Sequence, residues 1–179
     1  MNRKSSQGNR QPERELIIKF REILFQNEYL DKSVRSHFGD NRANIADIEF
    51  LSRNGEYLVL EAKSHNSGDA YNTFHKVFGE LLKECGKKNA EREHYLDVLK
   101  LGILIPEDLG TRGKEGIYFY RNHFRDIPPQ IFTGFGLLVG AKYIFVCSEK
   151  KERVSIYTWE GFYNGEEPVE QMGAVEKKE

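Results

Sequence analysis

Hydrophobic residues recur with a helical period over residues 12–28, near the start of the chain. At 100° per residue, five of them share one face: Leu16, Ile17, Phe20, Ile23 and Leu24. The proline at position 12 suits the first turn of a helix. Glu13 falls at the centre of the apolar face, whereas Glu15 and Glu22 fall on the opposite one. We therefore predict an amphipathic helix in which Glu13 either stabilises the N-terminus or is directed at a group beneath the helix.

Two shorter stretches, residues 45–51 and 57–63, alternate between apolar and polar positions around an Asn-Gly pair that is typical of a hairpin turn. A two-residue turn would leave Asp47 and Glu61 on opposite faces of the hairpin. A three-residue turn at residues 53–55 places them opposite each other on one face. The other face then collects the apolar side chains, namely Ala46, Ile48, Phe50, Leu58, Leu60 and Ala62. We predict the three-residue turn, because it separates the apolar from the charged side chains.

The rest of the pattern predicts a second helix, a buried strand and a closing hairpin. Residues 69–86 have a helical period and end at a glycine. Their expected core face is Phe74, Val77, Phe78, Leu81 and Leu82. Residues 99–105 are nearly all apolar and are followed by a proline, which indicates a buried strand after a crossover helix and a candidate for parallel pairing. The closing hairpin turns at residues 150–152, a short extended piece is predicted at 34–38, and residues 116–136 fit no single assignment.

Length and composition are typical of one soluble globular domain over residues 1–179, with 39% hydrophobic residues and a formal net charge of −1. No run approaches the ~20 apolar residues of a membrane span. The charged N-terminus lacks the apolar segment of a secretory signal, so we expect a cytoplasmic protein without a membrane partner. Residues 1–11 and 164–179 are predicted to be loose tails. Cys85 and Cys147 are expected to be buried free thiols.

Three charged residues lie inside the strand pattern, and their arrangement predicts a cation site. In the chosen register Asp47 faces Glu61, and Lys63 lies on the same face two residues further on. The two carboxylates repel each other, so they require a cation between them. Oxygen ligands select a hard ion such as Mg²⁺ or Mn²⁺, which can also bind phosphate. A lysine beside that ion would orient or deprotonate a water molecule, or stabilise charge on a phosphoryl group. Glu13 is a candidate for a further ligand.

The segments PERELIIKF, NIADIEF and YLVLEAK resemble, in order and spacing, the signature of the PD-(D/E)xK nuclease superfamily, and especially the small archaeal-type Holliday junction resolvases. In that family a helix that opens with Glu-Arg precedes an Asp on one strand and a Glu-x-Lys on the next. The residues at matching positions are Glu13, Asp47, Glu61 and Lys63, with Glu13, Asp47, Glu61 and the backbone carbonyl of Ala62 as the implied metal ligands. The resemblance covers residues 10–105, and Ala46 stands where the superfamily name has a proline.

This resemblance implies an α/β fold with a restriction-endonuclease-like core, in which helices flank a central mixed β-sheet. Residues 106–163 would be an extension of that core and would contain the closing β-hairpin. It also implies hydrolysis of phosphodiester bonds in duplex or branched DNA, with Mg²⁺ or Mn²⁺ as cofactor, by a homodimer. We therefore expect a DNA endonuclease, either structure-specific or of the restriction type. The alternative is a nucleic-acid-binding module that has the fold without the activity.

Candidate nucleic-acid contacts lie just after the Glu-x-Lys motif and in a basic, aromatic segment. They are His65, Arg112, Lys114, Arg121 and Arg125. Basic groups interleaved with aromatic rings suit contact with a nucleic-acid backbone and stacking on bases. The same residues also fit a solvated surface above core aromatics. The near-neutral net charge gives no basic footprint over the whole chain.

Overall fold

The computed structural model describes residues 11–32, 46–64, 70–87, 90–108 and 115–173. Within these residues the chain forms a mixed sheet of seven strands flanked by helices. The α/β class and the central mixed sheet predicted from the sequence are therefore confirmed. None of the described helices has both the length and the apolar character that crossing a bilayer requires.

The strands follow one another across the sheet in chain order. In sequence the elements are α1 (Gln11–Gln26), β1 (Leu30–Asp31), β2 (Ile48–Leu51), β3 (Tyr57–Ala62), α2 (Ala70–Cys85), α3 (Ala90–Glu93), β4 (Leu99–Pro106), α4 (Gly116–Arg125), α5 (Pro129–Val139), β5 (Ala141–Ser148), β6 (Arg153–Thr158), α6 (Trp159–Asn164) and β7 (Glu170–Gly173). Strands β1 to β3 are antiparallel, β3 to β5 are parallel, and β5 to β7 are antiparallel again. The parallel strands are joined by helices, as crossover connections require.

Two hydrophobic layers cover the two faces of the sheet. On one face α1 packs Phe20 edge-on against Phe50 and Phe145, at ring-centroid distances of 6.0 and 5.6 Å. On the other face α2, α4, α5 and α6 share an aromatic core in which Phe132 stacks on Trp159 at 4.6 Å. Both layers are closely packed, and this fixes the positions of the helix ends relative to the strands.

The predicted hairpin turn is confirmed. The Ser52 N–H donates to the Glu56 carbonyl at 2.9 Å, and Ile48 lies opposite Leu60. Gly55 has a φ of +78°, the left-handed conformation that a three-residue turn requires at this position. The strands are shorter than predicted, because regular pairing extends from residue 48 to 51 and from 57 to 62.

The structure assigns the segment that the sequence left open and corrects three predictions about which side chains are buried. Residues 116–136, which fit no single assignment, form α4 and most of α5. Leu82 is 54% exposed and is not part of the core, because it lies beyond the edge of the apolar face of α2. Ala46 is buried in the α2 layer and not in the α1 layer, since it precedes β2 and does not follow the alternation of that strand. Cys147 is buried as expected, but the Cys85 thiol is exposed.

The two ends of the chain and the predicted extension also differ from expectation. Residues 170–173 form β7, which pairs with β6, so the predicted loose tail from residue 164 is wrong for this part. The closing hairpin forms as β5 and β6, and both strands continue the central sheet, so the segment 106–163 is integral to it. Strand β1 was not predicted, and the extended piece at 34–38 lies outside the described residues.

Candidate active site

The predicted pair of carboxylates is brought together at one end of the central hairpin. Because Ile48 pairs with Leu60, the same register continued by one residue sets Asp47 opposite Glu61. Asp47 Oδ2 accepts a hydrogen bond from the Ala62 N–H at 2.9 Å, which extends the pairing of the two strands to the residue before β2 begins. Side chains directly opposite each other on antiparallel strands have Cβ atoms about 5 Å apart. The two carboxylates are therefore neighbours, as the sequence predicts.

Lys63 follows β3 and is almost completely buried, with 6% of its surface exposed. Its Nζ donates to the Ala62 carbonyl at 2.7 Å and lies 2.6 Å from Glu80 Oε2, on helix α2. Burial lowers the Lys63 pKa, but the carboxylates of Glu13, Glu80 and Asp47 outweigh it and raise the pKa above its ordinary value. Lys63 is thus held as an ammonium group among acidic side chains.

Glu13 reaches the same place from the other face of the sheet, because it lies in the first turn of α1. Its carboxylate accepts a hydrogen bond from the Ser64 N–H. Burial raises the Glu13 pKa, the Lys63 charge opposes this, and the charges of Asp47 and Glu80 add to it. The hypothesis that Glu13 is directed at a group beneath its helix therefore agrees with the structure. All four residues of the sequence signature converge on one site.

Glu61 carries the most strongly perturbed carboxyl of the site. It is 8% exposed, and burial followed by the charge of Asp47 raises its pKa to about 9, against the opposing effect of Lys63. Ionising Glu61 beside Asp47 is therefore unfavourable unless a further positive charge is supplied. A divalent cation between the two carboxylates would supply it.

The donor set fits Mg²⁺ or Mn²⁺. No group of three or more His, Cys, Asp or Glu side chains in the described segments is close enough to hold a metal ion on its own. Mg²⁺ does not require such a cage, since proteins commonly bind it through one or two carboxylates together with water and substrate phosphates. Asp47 and Glu61 would supply those carboxylates. The other two implied ligands have protein partners here, Glu13 with Ser64 and the Ala62 carbonyl with Lys63.

Sequence reasoning missed two acidic residues on α2, Glu80 and Glu84. Both could have been found, because a helical wheel places Glu84 beside the core residue Val77, with Glu80 further toward the edge of the same face. This is the same signal that singled out Glu13. Tyr120, whose ionisation is affected by Glu13 and Glu80, was also missed, and no pattern in the sequence indicates it.

A buried ionic network lies beside the site and fixes α2 and α3 to the hairpin. Arg92 donates to Glu49 at 2.6 Å and to Glu84 at 2.8 Å, and all three side chains are almost fully inaccessible. The Tyr57 hydroxyl donates to the other oxygen of Glu49 at 2.7 Å. Glu49 shares a face of the hairpin with Glu61, so the network forms the inner wall of the site.

Two of the candidate nucleic-acid contacts have protein partners. Arg121 lies over the Phe162 ring at 4.7 Å and donates to the Phe162 carbonyl at 2.8 Å, and Arg125 donates to the Tyr163 carbonyl at 3.0 Å. These guanidinium groups attach α6 to α4. Contact of either arginine with nucleic acid stays a prediction. The remaining candidates, His65, Arg112 and Lys114, lie outside the described residues.

Comparisons with protein-family models, with curated proteins and with solved structures found no match to this chain. A functional assignment therefore depends on the geometry of the site and on the sequence signature that led to it.

The raised pKa of Glu61 gives a testable prediction. The carboxyl has a pKa of about 9 in the folded protein and an ordinary value of 4.5, so between these values the folded state binds the proton more tightly than the unfolded chain. The free energy of unfolding then falls as the pH rises through this window, by at most about 1.4 kcal/mol per pH unit. Glutamine has no proton to lose. We expect Glu61→Gln to match the wild type near pH 5 and to exceed its stability at about pH 8 by about 1 kcal/mol or more.

Urea denaturation at several pH values, without divalent cations, measures this difference. Glu56→Gln is the control, because Glu56 is at the other end of the hairpin and pairs with Lys142, which together with Tyr143 keeps its pKa below the ordinary value despite partial burial. Equal pH dependence of the wild type and Glu61→Gln would contradict a perturbed Glu61.

Proposed function

We propose that the protein is a Mg²⁺-dependent DNA endonuclease of the PD-(D/E)xK type. The observation that carries the proposal is the register of the central hairpin. It sets Asp47 against Glu61 with Lys63 on the same face, while α1 brings Glu13 to the same end of the sheet. Acidic oxygen ligands beside a buried ammonium group form an arrangement suited to phosphodiester hydrolysis.

Each residue has a defined role in this proposal. Asp47 and Glu61 would hold the divalent cation, and Glu13 would assist from the helix. When bound, Mg²⁺ polarises a phosphoryl oxygen and lowers the pKa of a coordinated water molecule. The hydrogen bond between Asp47 and the Ala62 N–H keeps the carboxylate directed toward the end of β3. The Tyr57–Glu49–Arg92 network keeps the inner wall rigid.

Lys63 is better suited to stabilise negative charge than to act as a base. The surrounding carboxylates raise its pKa, so at neutral pH the side chain is an ammonium group without a free lone pair. A protonated amine held by Glu80 and the Ala62 carbonyl can orient the attacking water and offset charge on the phosphoryl group in the transition state. Of the roles that the sequence left open for this lysine, we therefore propose orientation of the water and stabilisation of phosphoryl charge rather than deprotonation of the water.

The order of the elements supports the same proposal. Helix α1 precedes three antiparallel strands, and helix α2 then leads to β4, which is parallel to β3. This is the mixed sheet with flanking helices that a restriction-endonuclease-like core implies. DNA as the substrate, a homodimer and a cytoplasmic location stay predictions that follow from the sequence resemblance and composition.

Incubation with four substrates tests the proposal: supercoiled plasmid, a four-way junction, single-stranded DNA and RNA, each with Mg²⁺ or with EDTA. We expect cutting of at least one DNA substrate with Mg²⁺ and none with EDTA. Preference for the junction would indicate a structure-specific enzyme, and cutting of plasmid at discrete positions would indicate a restriction-type enzyme. Binding without cutting on every substrate would favour the nucleic-acid-binding module and overturn the enzyme assignment.

A further inference from the structure

The outer face of α5 is apolar and exposed. Leu137 and Leu138 are 80% and 77% exposed, more than any other large apolar side chain in the described part of the chain. Ile131 is 60% exposed and lies two helical turns before Leu138 on the same face. These side chains do not complete the core, because the inner face of the helix already buries Phe132 and Val139 there.

Surface helices of globular proteins normally have charged and polar residues on the outer face, and α5 does not. No charged residue occurs from residue 127 to residue 141, although charged residues make up 31% of the chain. Helix α2 extends the apolar surface, since the Phe78 ring contacts the Phe135 ring of α5 at 5.1 Å and the exposed Leu82 follows Phe78 by one turn. We call four exposed side chains the α5 patch: Leu82, Ile131, Leu137 and Leu138. Together they expose on the order of 500 Å², a size that on a monomer often marks an interaction site.

A second copy of this chain fits the α5 patch better than a lipid surface does. In a two-fold symmetric interface the same surface meets itself, so charges of one sign would come together and repel each other. The α5 patch has no such charges. A lipid surface favours helices with Lys or Arg beside the apolar residues, and α5 has neither. Standard interfaces bury about 800 Å² per partner, so the patch is large enough for the apolar centre of one, with the surrounding polar residues as its rim.

Gly134 lies at the middle of the exposed stripe on α5. Ile131 and Leu137 are each three residues from it, and Gln130 and Leu138 are each four residues from it. A stripe with this symmetry matches its own copy when the two helices run antiparallel, because Ile131 of each copy then meets Leu137 of the other. A Cβ atom built at Gly134 would have no neighbour within 4 Å, so a second helix backbone can approach closely at this point.

We propose that the protein forms a two-fold symmetric dimer in which α5 packs antiparallel against α5 of a second copy and buries the α5 patch. The inference does not depend on the proposed nuclease function. A homodimer is also expected from the sequence resemblance, but that resemblance covers residues 10–105 and indicates no surface. Helix α5 lies outside that range.

Leu138→Glu tests the interface, because it places a carboxylate from each copy in the apolar centre. Sedimentation velocity over a range of protein concentrations measures the dissociation constant of the dimer. We expect the wild type to be a dimer at micromolar concentration, and Leu138→Glu to raise the dissociation constant at least about 10-fold. Leu30→Glu is the matched control and should dimerise as the wild type does, since Leu30 is 59% exposed on β1 at the edge of the sheet. A monomeric wild type, or an unchanged dissociation constant for Leu138→Glu, would overturn the proposal.

Disulfide cross-linking tests the antiparallel arrangement. Gly134→Cys, in a chain in which the exposed Cys85 is replaced by serine, would lie at the two-fold axis beside its own copy. Cysteines with Cα atoms within about 7 Å can form a disulfide, so mild oxidation should convert most of this variant into a covalent dimer. Glu22→Cys in the same background is the control, because Glu22 is exposed on α1, which covers the opposite face of the sheet. Equal cross-linking at the two positions, or none at Gly134, would contradict the pairing of α5 about Gly134. If the wild type dimerises through α5 but cleaves no nucleic acid, the proposed function fails and the interface is confirmed.

Discussion

Replacing Asp47 with asparagine or Lys63 with methionine is expected to lower Mg²⁺-dependent DNA cleavage by at least about 100-fold. Asparagine keeps the oxygen that accepts the hydrogen bond from the Ala62 N–H, but it removes the charge that would hold the cation. Methionine keeps most of the length and volume of Lys63 and removes the ammonium group that contacts Glu80. Both substitutions therefore remove charge while they conserve the shape of the site.

Initial rates of plasmid or junction cleavage measure the effect, and thermal unfolding checks that each variant is folded. Glu56→Gln is the control, because Glu56 has hydrogen bonds and an ion pair at the opposite end of the hairpin and should not influence catalysis. Wild-type rates in both Asp47→Asn and Lys63→Met would contradict the roles assigned to these residues.

The second large effect concerns stability. Arg92→Met is expected to lower the free energy of unfolding by about 3–5 kcal/mol, because it leaves Glu49 and Glu84 buried without their shared guanidinium partner. Arg92 is 1% exposed, so water cannot replace the lost hydrogen bonds without a rearrangement of the core. Urea denaturation at neutral pH measures the change.

Lys142→Met provides the comparison for this substitution. Lys142 pairs with Glu56, but its side chain is 43% exposed, and a surface ion pair contributes about 1 kcal/mol at most. If the Arg92 and Lys142 variants have the same urea midpoint of unfolding, the buried network does not stabilise the protein more than a surface ion pair does, and the prediction is wrong.

The geometry of the central hairpin could be predicted because two independent local signals agree. The Asn-Gly pair limits the turn to a few types, and the alternation of apolar and charged residues then selects one register. That register determines which side chains are opposite each other, so Asp47 and Glu61 could be paired from the sequence. Glu13 could be added because a charged residue at the centre of an apolar helix face is conspicuous.

The remainder of the site could not be predicted, because it depends on contacts between distant segments. Arg92 lies 43 residues after Glu49, and Tyr120 lies in a segment whose aromatic residues fit no single assignment. Glu80 and Glu84 are the exception, since the wheel that singled out Glu13 also identifies them on α2. Strand β7 was missed for a different reason. Apart from the buried Met172, its residues are polar or small, as expected for an edge strand. In sequence alone it therefore resembles a tail, and only its pairing with β6 identifies it as a strand.

Cation binding tests the central proposal most directly. Mn²⁺ titrated into the wild type and into the double variant Asp47→Asn/Glu61→Gln can be followed by electron paramagnetic resonance of the free ion. We expect saturable binding of one or two ions by the wild type, and loss of that binding in the double variant. Equal binding by both proteins, or no binding by the wild type, would contradict a divalent cation site between the two carboxylates.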